Sequence, residues 1–231
     1  MARTVLITGG ARGLGEALVA DFAQDHDVAL VWNTSAPQGL PEGVLAIQGD
    51  LTAPGVCKDV VPQVMAHFGR LDVIVNNAGT VAMSPREIFD GPAQRAILDV
   101  NLLAPGDLLA AALPHLTEGA AVVNISSVNA VLPPAGASIY GASKAALNLW
   151  TKAMAKELGP QGIRVNAVAP GAFEVADKER PSELIEAFVG MTAMGRLATP
   201  EDIAPVVRFL TSDAARFVTG EVVTVSGGYR L

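Results

Sequence analysis

The sequence holds a single cysteine, Cys57, in 231 residues. One thiol forms no intrachain disulfide, which excludes a disulfide scaffold and points to a reducing, cytoplasmic setting. Basic residues are also short: 16 Lys and Arg against 23 Asp and Glu leave a net charge of −7. With no lysine/arginine stripe to follow a phosphate backbone, no nucleic-acid partner is expected. No run of consecutive apolar residues nears the roughly 18 that a bilayer span needs, so no membrane is expected either. The start, Met1-Ala2-Arg3, leads straight into the first apolar run, so no signal peptide is expected. His26, His67 and His115 are scattered, no His/Cys group has metal-ligand spacing, and no metal site is expected. Repeats, linkers and low-complexity tracts are absent.

What is present is 50% hydrophobic residues, enough for one α/β domain with a sizeable core. Short apolar runs near 4–8, 28–32, 44–48, 72–76, 121–125, 164–169 and 222–226 read as strands. Segments near 13–24, 55–68, 93–113, 139–158 and 200–210 read as helices. This alternation predicts a parallel sheet with helices on both faces. Between the second and third strands only Asn33 to Gly43 is available. Pro37, Gly39, Pro41 and Gly43 make that stretch a loop rather than a helix.

Two segments carry chemistry. Tyr140 and Lys144 lie four apart, so on a helix they share a face. A phenol normally keeps its proton to about pH 10, and a neighbouring ammonium is expected to lower that, giving a general acid or base. Ser127 follows the strand-like run Ala121-Val122-Val123-Asn124-Ile125, where a hydroxyl can donate to a substrate oxygen. Hydroxyl, phenol and ammonium suit a carbonyl/alcohol interconversion, which also needs a hydride donor. At the other end, the strand Thr4–Thr8 runs into Gly9-Gly10-Ala11-Arg12-Gly13-Leu14-Gly15 and then a helical pattern from Glu16. A strand, a glycine-rich turn and a helix form a phosphate-binding element, because the helix start presents free N–H groups and a positive dipole end. The spacing G-x-x-x-G-x-G differs from the commoner G-x-G-x-x-G.

From Thr4 to Gly228 the chain resembles a short-chain dehydrogenase/reductase of the classical type, nearest in look to 3-oxoacyl-carrier-protein-reductase-like members. The likeness rests on Thr8-Gly9-x-x-x-Gly13-x-Gly15, Asp50-Leu51, Asn76-Asn77-Ala78-Gly79, Asn101, Ser127, Tyr140-x-Ala142-Ser143-Lys144 and Pro170-Gly171, in the family's order and intervals. It implies a single Rossmann-type, doubly wound domain over 1–231 with a seven-stranded parallel sheet. Residues 1–125 would be mainly cofactor-binding and 126–231 mainly catalytic and substrate-binding. It further implies a catalytic set of Asn101, Ser127, Tyr140 and Lys144. Asn101 would sit mid-helix, where its side chain and a local bend hold a water linking Lys144 to solvent. Ser126 is set aside because the interval to the tyrosine selects Ser127.

The cofactor is expected to touch Gly9, Arg12, Gly13, Leu14 and Gly15 at the pyrophosphate, and Trp32, Asn33 and Thr34 at the adenosine ribose. Asp50 and Leu51 would meet the adenine, although Asp50 also reads as a turn or helix-start aspartate. Asn77, Ala78 and Gly79 would flank the ribose, Lys144 with Tyr140 the nicotinamide ribose, and Pro170 with Gly171 the nicotinamide. Relatives often place a threonine a few residues later; this chain has Val175. An acidic residue ending the second strand would accept from both ribose hydroxyls and repel a 2′-phosphate. Trp32 stands there instead, and Arg12, Asn33, Thr34 and Ser35 offer donors, which favours NADP(H) over NAD(H).

The resemblance places a lid over Ala172 to Met194. Phe173, Phe188, Met191, Met194, Val131 and Leu132 are candidate apolar liners, while Leu184, Ile185, Phe188 and Val189 equally fit the buried face of a small helix. Glu174, Asp177, Lys178, Glu179 and Arg180 leave a polar substrate open. The expected activity is NAD(P)(H)-dependent carbonyl or 3-oxoacyl reduction. An NAD-dependent alcohol, polyol or sugar dehydrogenase and a non-catalytic dinucleotide-sensing scaffold are the alternatives. A carrier-protein partner would want basic residues at the site mouth, for which Lys178, Arg180 and Arg196 are candidates. Relatives pair through the helices that here cover 93–113 and 139–158, so a homodimer or homotetramer is expected.

Overall fold

The computed structural model describes residues 2–173 and 181–229. Every apolar run read as a strand forms one: β1 (Thr4–Thr8), β2 (Asp27–Trp32), β3 (Leu45–Gln48), β4 (Val73–Asn76), β5 (Ala121–Ile125), β6 (Arg164–Pro170) and β7 (Val222–Val225). They make one seven-stranded sheet in the order β3-β2-β1-β4-β5-β6-β7, with every neighbouring pair parallel. The order reverses between β1 and β4. At such a reversal the flanking connections leave in opposite directions and open a crevice at the carboxyl ends of the strands.

The sheet is covered on both faces, and alternation along β1 shows how. Val5 and Ile7 pack with Leu18 and Phe22 of α1 (Gly13–Phe22) and with Ile203 and Val207 of α7 (Pro200–Thr211). Leu6 faces the other way, into a layer shared by α2 (Val56–Phe68), α4 (Ala104–Ala112) and α5 (Ser138–Leu158). Burying each such side chain contributes about 1.5–3 kcal/mol, and truncating Leu6 to alanine would cost about 2–5 kcal/mol. The helix starts are set by local chemistry. Thr199 and Asp202 form a reciprocal capping box on α7, and the Asp90 carboxylate accepts from the Ala93 N–H at 3.0 Å to start α3 (Gly91–Leu98).

The loop expected between β2 and β3 is present, with no helix between Asn33 and Val44. The helix expected over 93–113 is instead interrupted: a π-helical turn, Asp99–Leu103, separates α3 from α4. Such widened turns recur at functional sites, and this one carries Asn101. Among the described residues, the stretch Gly91–His115 is the one long and apolar enough to cross a membrane by length and composition. In this fold it lies against α5 and carries Asp99, Asn101 and Asp107. Residues 182–190 form α6, whose Ile185, Phe188 and Val189 are half-buried and whose Leu184 is exposed, so the small helix exists but has no fully buried face. Glu174, Val175, Asp177, Lys178, Glu179 and Arg180 lie outside the described residues.

Candidate active site

The glycine-rich turn follows β1 into the crevice. Gly9 and Gly13 hold φ of +65° and +54°, values that L side chains resist. Gly15 is fixed by space instead: a Cβ there would stand 2.1 Å from the Gly9 carbonyl oxygen and 2.7 Å from Asn77 Nδ2. The turn is clamped from β4's end. Asn77 Nδ2 donates to the Thr8 and Gly9 carbonyls at 3.0 Å each, and the Asn77 and Ala78 N–H groups donate to Thr8 Oγ1 at 3.0 Å. These bonds consume the side chains and leave the backbone of the turn and the first turn of α1 facing a cleft of about 410 Å³.

That cleft collects most of the expected cofactor residues. Gly9, Arg12, Gly13, Leu14 and Gly15 line one wall, Asn77, Ala78 and Gly79 another, and Trp32, Asn33, Thr34, Asp50 and Leu51 close the far end. Sequence reasoning passed over Gly49, Thr80 and Val100, which also line it, since none stands in a recognisable motif; Phe173, expected as a substrate liner, lines it too. Trp32 ends β2, and among the described residues the one carboxylate lining this cleft is that of Asp50. Asp50 Oδ1 accepts from the Thr52 N–H at 2.9 Å and from Thr52 Oγ1 at 2.7 Å, and these bonds hold its carboxyl below the ordinary value. The turn role of Asp50 is therefore real, and it coexists with a place on the cleft wall. Pro170 and Gly171 end β6, where the Gly171 N–H donates to the Val225 carbonyl at 2.9 Å; they do not line the cleft.

The four expected catalytic residues lie on three neighbouring elements. Ser127 leaves the end of β5, its Oγ accepts from the Asn129 N–H at 3.1 Å, and its side chain favours the phenolate of the neighbouring Tyr140. Tyr140 and Lys144 occupy successive turns of α5 and are both buried. The Lys144 ammonium donates to the Ile125 carbonyl at 2.8 Å. A Cβ placed on Gly79 would stand 3.2 Å from Asn101 Oδ1 and 3.4 Å from Lys144 Nζ, so the π-helical turn, the β4 end and α5 converge there.

One expectation about this cluster needs correction. Lys144 was expected to lower the tyrosine's pKa, but burial instead raises Tyr140, only partly offset by the neighbouring Ser127 side chain. The ammonium is turned to the Ile125 carbonyl, and burial pushes its own pKa down to about 8. Removing both groups from water disfavours both charged forms, and here that effect outweighs their proximity. Asn101 Nδ2 donates to the Thr80 carbonyl and to Ser143 Oγ, each at 3.0 Å, while its Oδ1 accepts from the Thr80 N–H at 2.9 Å and keeps a second lone pair. The expected local bend is present as the π-helical turn.

A strand order reversing at β1/β4, a clamped glycine turn and a buried Ser–Tyr–Lys cluster are the features to compare with known proteins. A family model described as enoyl-(acyl carrier protein) reductase matches residues 9–230. The chain belongs to the short-chain dehydrogenase/reductase family. An uncharacterised oxidoreductase of Methylorubrum extorquens is 38% identical over 99% of this chain and 98% of its own length. The 3-oxoacyl-[acyl-carrier-protein] reductase of Thermotoga maritima is 34% identical over 98% of this chain and 97% of its own length. A short-chain dehydrogenase from Burkholderia cenocepacia, solved in complex with NADP, superposes with a TM-score of 0.93 at 34% identity, covering 99% and 98% of the two chains. This short-chain dehydrogenase/reductase is thus an NAD(P)-dependent oxidoreductase on a Rossmann-type fold.

Among the described residues, no group of three or more His, Cys, Asp and Glu stands together as metal ligands would. Of the basic residues considered for a carrier-protein partner, Arg196 is engaged: its guanidinium makes two bonds, at 2.6 and 2.8 Å, to Asp202. Lys178 and Arg180 fall outside the described residues.

Proposed function

We propose that this chain interconverts a carbonyl and a secondary alcohol, working mainly as an NADPH-dependent carbonyl or 3-oxoacyl reductase. The observation that carries the reading is the buried pair of neighbouring Ser127 and Tyr140 hydroxyls, with Lys144 one helical turn from the tyrosine. The residues present fit a dinucleotide: a glycine cradle that a single Cβ would fill, a helix start facing it, and neutral donors beyond. Gly9, Arg12, Gly13, Leu14 and Gly15 would hold the pyrophosphate, and Trp32, Asn33 and Thr34 the adenosine ribose. Asp50 and Leu51 would meet the adenine, Asn77, Ala78 and Gly79 the ribose side, and Tyr140, Lys144, Pro170 and Gly171 the nicotinamide half. When bound, the dinucleotide supplies the hydride for reduction.

The chain's own residues do the rest. Ser127 donates a hydrogen bond to the substrate carbonyl oxygen, polarising it. Tyr140 gives its phenolic proton to that oxygen as it becomes an alkoxide, and its raised pKa keeps the phenol protonated and ready near neutral pH. Lys144, with a pKa of about 8, still holds its proton at neutrality and places a positive charge beside the reacting groups. Asn101 and Ser143 hold the π-helical turn against α5, fixing where Tyr140 and Lys144 stand.

NADPH is favoured because β2 ends in Trp32 rather than a carboxylate, while Arg12, Asn33, Thr34 and Ser35 border the same end of the cleft. The Burkholderia relative's complex with NADP supports the same choice. The apolar faces of α4 and α5 support a homodimer or homotetramer: Leu103, beside α4, is 59% exposed and Leu149 of α5 is 71% exposed. A cytoplasmic location fits the lone, buried Cys57. The test is dinucleotide oxidation against a panel of aldehydes, ketones and 3-oxoacyl thioesters. Turnover with NADPH faster than with NADH is expected; turnover of alcohols or polyols with NAD alone would overturn the reductive reading.

A further inference from the structure

Resting on the reading of Tyr140 as the proton donor, we propose that Ser84 is a positioning residue of this site: from the loop after β4 it caps α5 and fixes where Tyr140 stands. The need for such a residue lies in α5 itself. The first N–H groups of a helix have no partner inside it, and a side-chain oxygen at the N-cap normally accepts from one of them. The N-cap here is Ala137, which has no side-chain oxygen, and the first turn carries no acidic residue. Tyr140 is the third residue of that turn, so the proton donor stands on the least supported part of its own helix. Lys144, one turn further in, is anchored separately by the Ile125 carbonyl.

Ser84 supplies what α5 lacks. Its Oγ accepts from the Ile139 N–H at 3.3 Å and shares a hydrogen bond with Ser138 Oγ at 3.3 Å. Its own N–H donates to the Gly136 carbonyl at 2.7 Å, and it pairs with Ala137 as an isolated parallel bridge. Ser84 therefore holds the chain on both sides of the N-cap. The loop around it inverts the usual pattern: Val81 and Met83 are 59% and 72% exposed, while Ser84 is 7% exposed. That is the arrangement expected where a hydroxyl's bonds, rather than apolar packing, hold a segment in place.

The same short segment reaches Tyr140 from its other side. Thr80, which lines the dinucleotide cleft, exchanges two hydrogen bonds with the Asn101 amide. Asn101 donates to Ser143 Oγ, and Ser143 Oγ donates to the Tyr140 carbonyl at 2.7 Å. Thr80 to Ser84 is thus a strap fastened to α5 at two points, just before Tyr140 through the Ile139 N–H and just after it through Ser143. A proton donor must stand within hydrogen-bond reach of the oxygen it serves, and a misplacement of about 1 Å costs on the order of 100-fold in rate. Removing the Ser84 hydroxyl leaves the Ile139 N–H, at the second helical position, with no acceptor inside the helix.

The experiment joins amide exchange, followed by NMR on the full chain, to steady-state kinetics. In the unmodified protein the Ile139 N–H is expected to exchange slowly, because Ser84 Oγ protects it. Ser84→Ala should speed that exchange about fivefold or more and lower kcat for carbonyl reduction about 10- to 100-fold, with the NADPH dissociation constant within about threefold. Ser84→Thr keeps the hydroxyl and should restore both exchange and kcat. Asp90→Ala removes the cap of α3, further along the same loop. It should lower thermal stability as Ser84→Ala does, yet leave kcat within about threefold of the unmodified chain. Rapid exchange at Ile139 in the unmodified protein, an unaltered kcat in Ser84→Ala, or an equal loss of kcat in Asp90→Ala each overturns the proposal. The first of these needs no substitution, so it decides even where Ser84→Ala does not fold. Tyr140→Phe separates the proposal from the reading beneath it. If that variant keeps turnover, the assignment of the proton donor fails and takes the role of Ser84 with it; if it loses turnover and Ser84→Ala does not, the role of Ser84 alone fails.

Discussion

At the glycine-turn end of the cleft there is no room for change, whereas at the edge formed by β2 and the loop after it little prevents change. Gly15 abuts the Gly9 carbonyl and the Asn77 amide, and Thr8 and Asn77 spend five bonds' worth of geometry on that turn's shape. The far edge has Asn33, Thr34 and Ser35 exposed on a connection without a helix. The same contrast divides the substrate half. Asn101 and Ser143 are buried and tied to each other, and Lys144 is buried and tied to the Ile125 carbonyl, while Val81, Met83 and Val131 on the loops after β4 and β5 are exposed. Groups that must meet reacting atoms are locked by backbone carbonyls and amides; groups that select among ligands sit on loops that tolerate substitution.

The contrast can be broken hardest at Tyr140. Tyr140→Phe keeps the ring in its buried site but removes the proton donor. It should lower kcat/KM about 10²–10⁴-fold while leaving the NADPH dissociation constant within about threefold; steady-state kinetics beside a binding titration check both. Gly15→Ala comes next. Its Cβ has no space, so dinucleotide affinity should fall by on the order of 100-fold as the turn is forced apart, read by the same titration.

Lys144 gives a pH signature. Its folded pKa, about 8, lies below the ordinary lysine value near 10.5, so the folded state binds fewer protons than the unfolded chain between those limits. Stability of the dinucleotide-free protein should therefore rise from pH 8 towards pH 10, by about 2 kcal/mol relative to Lys144→Met. Above pH 10 Tyr140 opposes this, because its raised pKa makes the folded state retain a proton that the unfolded chain loses. Denaturant unfolding at three pH values reads the difference; identical pH dependence in the two proteins would contradict the burial of the ammonium.

The open edge should respond most mildly. Trp32→Asp restores a carboxylate at the end of β2 and should shift the NADPH/NADH affinity ratio about tenfold towards NADH, roughly 1.4 kcal/mol. An unchanged ratio would mean that the cofactor's phosphate is recognised elsewhere.

Much of this was legible in the residues. Strand runs in β-branched residues and the glycine spacing placed all seven strands to within a residue at each end, because period and turn chemistry are local properties. Tyr140 and Lys144 were found by spacing and Asn101 and Ser127 by the family resemblance, and the structure gathers them on neighbouring elements. What stayed hidden depends on distant contacts. The π-helical turn is written in no propensity; it arises where Asn101 must reach both Thr80 and Ser143. The sign of the tyrosine's shift was misjudged because sequence shows a nearby lysine but not the burial that outweighs it. The role of Ser84 as a cap for α5 was invisible for the same reason, since 55 residues separate it from Ile139.

The most direct test of the account is a parallel titration with NADPH and NADH, read as quenching of Trp32 emission in a Trp150→Phe background. Saturable quenching by both dinucleotides, with NADPH the tighter, is predicted. Tighter binding of NADH would contradict the reading of Trp32 and Arg12, and no quenching by either would contradict the cleft as a dinucleotide site.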